Sequence, residues 1–192
     1  MITAAISLSE QNLITIAVLT VVLIGLYLFN RYGKTESDHR ADRLERQYKE
    51  MTPELLASVP DAELAEAVVA NAFAKLDKQR PNVYAELPKM SPGRCAVVST
   101  WLVDRELDSA DFETLFASSA GALAELAADG MERLGAPRSA AAVRAALVAE
   151  SEEQRAETHA DYVEAREAEN LSQKMIDYIR EFTGEFLDNQ EA

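Results

Sequence analysis

The sequence predicts an all-α protein with a single N-terminal transmembrane helix, a polar helical stalk and a compact acidic helical bundle. Three observations predict this class: an uncharged apolar run near the start, apolar residues that recur every three or four positions after it, and the lack of any alternating strand pattern. The expected divisions are a short lead (1–12), the membrane helix (13–30), a basic flank and stalk (31–50) and the acidic domain (51–192).

The apolar run, Leu13–Phe29, has 17 residues and no charge. As a helix it would extend roughly 26 Å, close to the hydrocarbon thickness of a bilayer. We therefore expect it to anchor the chain in a membrane. The large apolar residues expected to span the membrane are Leu13, Ile16, Val18, Leu19, Val22, Leu23, Leu26 and Phe29.

A cleaved signal peptide is the alternative explanation of this run. Signal peptides need a basic start and a small-residue cleavage site, whereas the lead contains Glu10 and no Lys or Arg. The basic residues Arg31 and Lys34 follow the run, so the positive-inside rule predicts a single-pass protein of the cell membrane with a cytoplasmic C-terminal domain. The single cysteine, Cys95, agrees with a reducing compartment.

The predicted stalk is polar nearly all round, with opposite charges at helical spacing. Leu44, Tyr48 and Met51 add a thin apolar stripe. This stripe could be a short self-pairing seam, but it is too brief to support a coiled coil alone.

Several helices are expected in the domain. Asp61 is predicted to cap a helix over Ala62–Leu76, and Lys78–Lys89, with two prolines, is predicted to be a loop. Ser91 and Pro92 have the residue types of an N-cap followed by a first helical position. The positions predicted to be buried in these first helices are Leu64, Val68, Ala72, Leu76, Val97, Val98, Trp101 and Leu102.

The second half of the domain is also predicted to be helical. A short apolar turn around Phe112 precedes a helix over Ala120–Leu134, which Gly135 is expected to end. Pro137 begins an alanine-rich helix over Arg138–Ala149. The acidic stretch Glu150–Asn170 follows, and a last helix, Leu171–Phe186, is predicted to bury Met175, Tyr178, Ile179 and Phe182.

The sequence contains 33 acidic and 19 basic residues, for a net charge of −14. The first fifty residues hold equal numbers of each, so the predicted domain carries the whole imbalance. Such a surface should repel nucleic acid and anionic lipid headgroups and attract basic partners. On charge alone, an acidic surface that serves only solubility is the simpler explanation.

No motif for catalysis, cofactor binding or metal binding is present. His39 and His159 lie in no zinc-ligand spacing, Cys95 has no histidine partner in a known motif, and no glycine-rich phosphate loop occurs. We therefore expect a non-enzymatic protein without cofactor or metal.

One acidic pattern is specific enough to suggest a partner-binding face. Its carboxylates step by 3, 4, 4 and 3 residues, so on one helix they would form a single row with spacing comparable to that of phosphates along a nucleic-acid strand. An ordinary solvated helix face is the alternative. The row consists of Glu150, Glu153, Glu157, Asp161 and Glu164.

From Thr52 to Leu187 the chain resembles the helical domain family typified by an acidic DNA-mimic protein. The opening helix, the central TWLVDRELDSADFETLFASSAG, the junction ERLGAPRSAAAVRAAL and the closing YIREFTGEF match it in order and spacing. The signature positions kept here are Trp101, Glu106, Phe112, Phe116, Gly135 and Pro137. The family's Asn-Gly-Gly turn is replaced by Ser109-Ala110-Asp111, which puts the tight turn of the family in doubt.

The resemblance implies a fold more firmly than a function. We expect a membrane-anchored, non-enzymatic module that binds a basic protein partner, such as a DNA-binding regulator, and no nucleic acid directly. A membrane-tethered scaffold or oligomer, in which charge serves only solubility, is the alternative.

Overall fold

The computed structural model describes residues 36–76 and 83–188. The chain divides into two compact units, Met1–Arg43 and Leu44–Ala192. The predicted membrane helix over 13–30 lies outside the described residues. Within the described ranges, no helix has both the length and the apolarity that a membrane span requires.

The predicted all-α class is confirmed for the described residues, which contain helices and no strand. The α-helices are α1 (Glu36–Gln47), α2 (Pro53–Ser58), α3 (Asp61–Lys75), α4 (Pro92–Ser109), α5 (Phe112–Ala117), α6 (Ala124–Arg133), α7 (Pro137–Val148), α8 (Glu152–Glu169) and α9 (Leu171–Glu181). Short 3-10 helices cover Val83–Lys89, Ser119–Leu123 and Thr183–Phe186.

Helix α4 forms the centre of the second unit, because residues 93–100, which follow its exposed first residue Pro92, are all buried and the helix packs against α3 and α6. Its predicted start is confirmed: Ser91 Oγ accepts a hydrogen bond from the N–H of Arg94 at 3.3 Å, and Pro92 is the first helical residue. The rest of the bundle continues outward through α7, which packs on α6, and α8, which packs on α7.

The turn after α6 also follows its sequence signal. Gly135 has φ of +80°, a conformation that glycine adopts without steric cost. The N–H of Gly135 donates to the carbonyl of Glu132 at 2.9 Å, and the N–H of Ala136 donates to that of Met131 at 2.8 Å. This pair of bonds is a Schellman motif, so the chain can reverse directly into Pro137 and α7.

Three local predictions are corrected. Asp61 is the first residue of α3 and not its cap, because Pro60 occupies the N-cap position. The predicted loop contains a 3-10 helix, Val83–Lys89. The helix predicted over Ala120–Leu134 is divided, because Ser118 caps the 3-10 helix Ser119–Leu123 before α6 begins.

Phe182 was predicted to be buried, but 42% of its surface is exposed. Helix α9 ends at Glu181, and the chain continues as the 3-10 helix Thr183–Phe186. This change of helix type alters the residue spacing, so Phe186 enters the core in place of Phe182 and is fully buried.

Tyr48 and Met51 are each only 2% exposed and belong to the core of the second unit. The carbonyl of Tyr48 accepts a hydrogen bond from Asn71 Nδ2 at 2.8 Å. These side chains are therefore not available for the self-pairing seam that the sequence suggested.

Candidate functional site

Helix α8 has two chemically different faces. Tyr162 and Ala165 are buried, whereas the carboxylates that lie half a turn away are exposed to solvent. This arrangement follows from helical spacing, since residues three and four apart share a face. The outward face is the candidate site.

We call the outward carboxylates of α8 the acidic ridge. All of its members are exposed, and from first to last the row rises about 21 Å along the helix. Only small side chains, Ala156, Ala160 and Ala168, lie between them. The acidic ridge consists of Glu153, Glu157, Asp161, Glu164 and Glu167.

The composition of this row differs from the prediction at both ends. Glu150 precedes α8, and its N–H donates to Gln154 Oε1 at 2.8 Å, so it is not part of the helical row. Glu167 was missed, although its spacing of three residues from Glu164 continues the pattern. The other four residues lie on one exposed face, as predicted.

Basic side chains neutralise only one end of the acidic ridge. Arg138 Nη2 lies 3.1 Å from Glu164 Oε1, and both side chains are exposed. Arg155 instead pairs with Glu113, and Arg166 pairs with acidic residues of α4. Glu153, Glu157 and Asp161 therefore have no ion-pair partner among the residues that the structure describes.

The opposite face of α8 is held to α4 by a buried polar network. Tyr162 Oη donates to Asp104 Oδ1 at 2.8 Å, and Arg166 Nε lies 3.3 Å from the same oxygen. Burial raises the pKa of Asp104 above its ordinary value, although the hydrogen bond from Tyr162 and the charge of Arg166 oppose the shift. The network fixes how α8 is rotated about its axis, and this rotation directs the acidic ridge outward.

A further carboxylate holds α8 beside α7. Glu169 accepts hydrogen bonds from the N–H groups of Arg138 and Ser139, each at 2.9 Å, and from Ser139 Oγ at 2.7 Å. Burial raises the pKa of Glu169, but these hydrogen bonds outweigh it, so the pKa is lower than usual. Glu169 therefore satisfies the free amides at the start of α7.

The aromatic signature positions support α8 from beneath. Phe112 is fully buried, stacks on Phe116 with ring centroids 5.8 Å apart, and makes edge contacts with His159 and Tyr162. Trp101 is half-buried, and the guanidinium carbon of Arg105 lies 4.9 Å from its ring centroid.

The remaining signature positions lie away from α8 in the sequence. Gly135 and Pro137 form the turn into α7, and Glu106 is half-buried. No signature residue is a member of the acidic ridge.

The segment that replaces the family's Asn-Gly-Gly turn needs no glycine. Ala110 has φ of −146°, an extended conformation open to any residue. Asp111 Oδ1 accepts a hydrogen bond from the N–H of Thr114 at 2.8 Å and so caps α5. In this chain the segment therefore forms an aspartate cap and has no residue in a conformation that requires glycine.

The described part of the chain contains no cluster of metal-binding side chains. Within residues 36–76 and 83–188, no group of three or more His, Cys, Asp or Glu side chains could hold a metal ion. Cys95 is buried, and burial raises the pKa of its thiol, although the charge of Arg133 opposes this. His39 is exposed on α1 and His159 is half-buried on α8.

An all-α domain that presents one exposed row of carboxylates has the features of an acidic protein-interaction domain. A family model described as "DMP19-like protein" matches residues 88–192, a range that includes the whole of α8. The chain therefore belongs to the DMP19-like family, a helical DNA-mimic family. No curated protein and no solved structure matches the chain.

Proposed function

We propose that this chain is a non-enzymatic, membrane-anchored module whose acidic ridge binds the basic, DNA-contacting surface of a protein partner, such as a DNA-binding regulator. The observation that supports this most strongly is the exposed row of Glu153, Glu157 and Asp161, for which the described residues supply no cation. Membership of a DNA-mimic family supports the same conclusion.

The physical basis of binding is electrostatic. Neighbouring carboxylates on one helix face lie about 5–6 Å apart and repel one another by about 0.2–0.5 kcal/mol per pair. A cationic surface that covers them removes this repulsion and gains attraction over the whole row. Electrostatic attraction of this kind accelerates association and helps to select the partner. It becomes weaker as salt is added.

The membrane part of the proposal rests on the sequence of Leu13–Phe29, which is uncharged and long enough to span a bilayer. It would hold the acidic ridge near the cytoplasmic face. We expect the full chain to stay in membranes washed at high pH, and its C-terminal domain to survive protease added outside sealed cells. A freely dissolved chain would refute the anchor.

The test of partner binding compares three forms of the full chain in a non-ionic detergent. The first is the natural chain. The ridge variant carries Glu153→Gln, Glu157→Gln and Asp161→Asn. The control variant carries Glu54→Gln, Glu63→Gln and Glu125→Gln, which are also exposed and remove the same charge from other helices.

Each form is immobilised and used to capture proteins from cell extract. We expect a DNA-binding protein to be retained by the natural chain and the control variant, lost with the ridge variant, and released by short duplex DNA or by salt. Equal retention by the ridge variant, or indifference to duplex DNA, would contradict the proposal and favour a scaffold held by apolar contacts.

A further inference from the structure

Two large apolar side chains are exposed at the end of α7. Val148 is 79% exposed and Leu147 is 42% exposed. Among the described residues, the remaining exposed large apolar side chain is Phe182, which is 42% exposed after the end of α9. Contiguous exposed apolar surface that is rimmed by polar residues is typical of interaction sites.

Val148 lies at the Glu153 end of the acidic ridge. Helices α7 and α8 are antiparallel neighbours, as the pair between Arg138 and Glu164 indicates, and only three residues join them. The joint is held by a hydrogen bond from Arg155 Nη2 to the carbonyl of Ala149 at 3.3 Å. Packed helices have axes about 8–10 Å apart, so Val148 is within reach of a ligand that covers the ridge.

Val148 also lies on the solvent-exposed side of α7. The buried row of α7 contains Ala140, Val143 and Ala146, and Val148 lies about half a turn away from this row. Ala141 and Ala145 are exposed on the same outward face. A ligand that lies along the ridge can therefore contact Val148 without displacing either helix.

We infer that Val148, flanked by Leu147, is an apolar anchor for the partner that binds the acidic ridge. This inference rests on the proposed function and specifies the chemistry of the partner: a cationic surface with an apolar side chain at its edge. Surfaces that read DNA have this combination, because they contact phosphates with Lys or Arg and thymine methyl groups with apolar side chains. The methyl groups of Val148 would take the place of the thymine methyl.

The charged and apolar contributions to binding respond differently to salt. Ionic strength screens the attraction of the ridge, whereas burial of an apolar side chain is not screened. A change at Val148 should therefore alter affinity by a similar factor at low and high salt. A change in the ridge should alter affinity much more at low salt than at high salt.

The experiment uses two synthetic 20-residue helical peptides as probes. They have the same arginine-bearing face and differ in one residue at its edge, which is leucine in one and alanine in the other. The dissociation constant of each peptide is measured for four forms of the full chain in non-ionic detergent. These forms are the natural chain, Val148→Ser, Phe182→Ser and the ridge variant. Phe182→Ser changes a remote apolar residue and is the matched control.

We expect the leucine peptide to bind the natural chain about fivefold more tightly than the alanine peptide, because it covers part of the Val148 side chain. In Val148→Ser this ratio should fall to about one, and in Phe182→Ser it should stay near five. Val148→Leu should keep the preference. Thermal unfolding of Val148→Ser should match that of the natural chain, because exposed substitutions change stability little.

The failures of the two proposals can be told apart. An unchanged leucine preference in Val148→Ser, or no preference in the natural chain, would overturn the apolar anchor. If the ridge variant bound both peptides as tightly as the natural chain does, the proposed function itself would be wrong, whatever the behaviour of Val148.

Discussion

Acidic side chains are used in opposite ways in two regions of this molecule. On the acidic ridge, Glu153, Glu157 and Asp161 are exposed and have no ion-pair partner among the described residues. In the C-terminal segment, Glu185 and Asp188 are partly buried and accept at least two hydrogen bonds each. The same residue type thus stabilises the fold in one place and is left available for binding in the other.

The second region can be called the C-terminal clasp, defined as Glu185, Phe186 and Asp188. Asp188 accepts hydrogen bonds from the N–H of Met51 at 2.6 Å and from Asn71 Nδ2 at 2.9 Å. It also pairs with Lys75 and, at 3.0 Å, with Arg94, which is only 8% exposed. Glu185 accepts from the N–H of Gly93 at the start of α4. The clasp therefore connects the start of the second unit, α3 and α4.

The largest expected effect is that of Asp188→Ala. Removing this carboxylate leaves the buried guanidinium of Arg94 without its counterion, so we expect a loss of about 3 kcal/mol or more in the free energy of unfolding, measured in urea. Asp161→Ala, its matched change on the ridge, should cost no more than about 0.5 kcal/mol. Similar losses for both variants would remove the contrast between the regions.

A glycine at the clasp offers a second test. A Cβ at position 93 would lie 2.5 Å from Glu185 Oε2 and 2.9 Å from Tyr178 Cε1. Gly93→Ala should therefore displace the Glu185 side chain from the start of α4. We expect this to lower the free energy of unfolding, measured in urea, by about 1–3 kcal/mol. Glu185→Gln, which keeps the shape and one acceptor oxygen, should cost less, and a larger loss for Glu185→Gln would contradict this steric account.

Acid should weaken the stabilisation that two partly buried carboxylates, Glu169 and Asp188, give to the fold. The pKa of Glu169 is below its ordinary 4.5 and that of Asp188 is below its ordinary 3.8, since the hydrogen bonds that each accepts outweigh burial. Unfolding therefore takes up protons at both sites, so their stabilisation is complete above the ordinary values and is lost as pH falls through the lowered ones.

The measurement is the free energy of unfolding between about pH 7 and pH 3. Glu169→Gln should cost about 1–2 kcal/mol at neutral pH and make the acid-induced loss smaller. The raised pKa of Asp104 acts in the opposite sense, because the stability that follows from it is lost as pH rises. Asp104→Asn should therefore make the acid-induced loss of stability steeper. If Glu169→Gln left the fall in stability at acid pH unchanged, the contribution assigned to Glu169 would be wrong.

The smallest effect, and the one of opposite sign, is expected for the ridge variant. Neutralising three neighbouring carboxylates removes repulsion along α8, so stability should stay the same or rise by about 0.5 kcal/mol at low salt. The difference should disappear in high salt. A clear loss of stability would show that the ridge carboxylates support the fold.

Local signals allowed much of the fold to be predicted from the sequence. The cap at Ser91 and the left-handed turn at Gly135 depend on neighbouring residues only, and both lie where they were expected. Spacing likewise placed Glu153, Glu157 and Asp161 on one face. Both ends of the row were predicted wrongly: α8 begins at Glu152, so Glu150 lies outside the helix, and Glu167 was missed although its spacing continues the row.

Features that depend on distant parts of the chain could not be predicted. Asp188 and Arg94 are 94 residues apart, and no pattern in either segment indicates that they meet. The burial of Tyr48 depends on α3, and the exposure of Phe182 depends on where α9 changes to a 3-10 helix. The membrane span over 13–30 and a basic protein partner remain predictions.

The most direct test of the acidic ridge is the salt dependence of its contribution to binding. The dissociation constant of the alanine peptide would be measured for the natural chain, the ridge variant and the control variant at about 0.05 M and about 1 M salt. We expect the ridge variant to bind about tenfold more weakly than the natural chain at low salt and almost equally at high salt, with little change for the control variant. The same ratio at both salt concentrations, or an equal loss for the control variant, would contradict it.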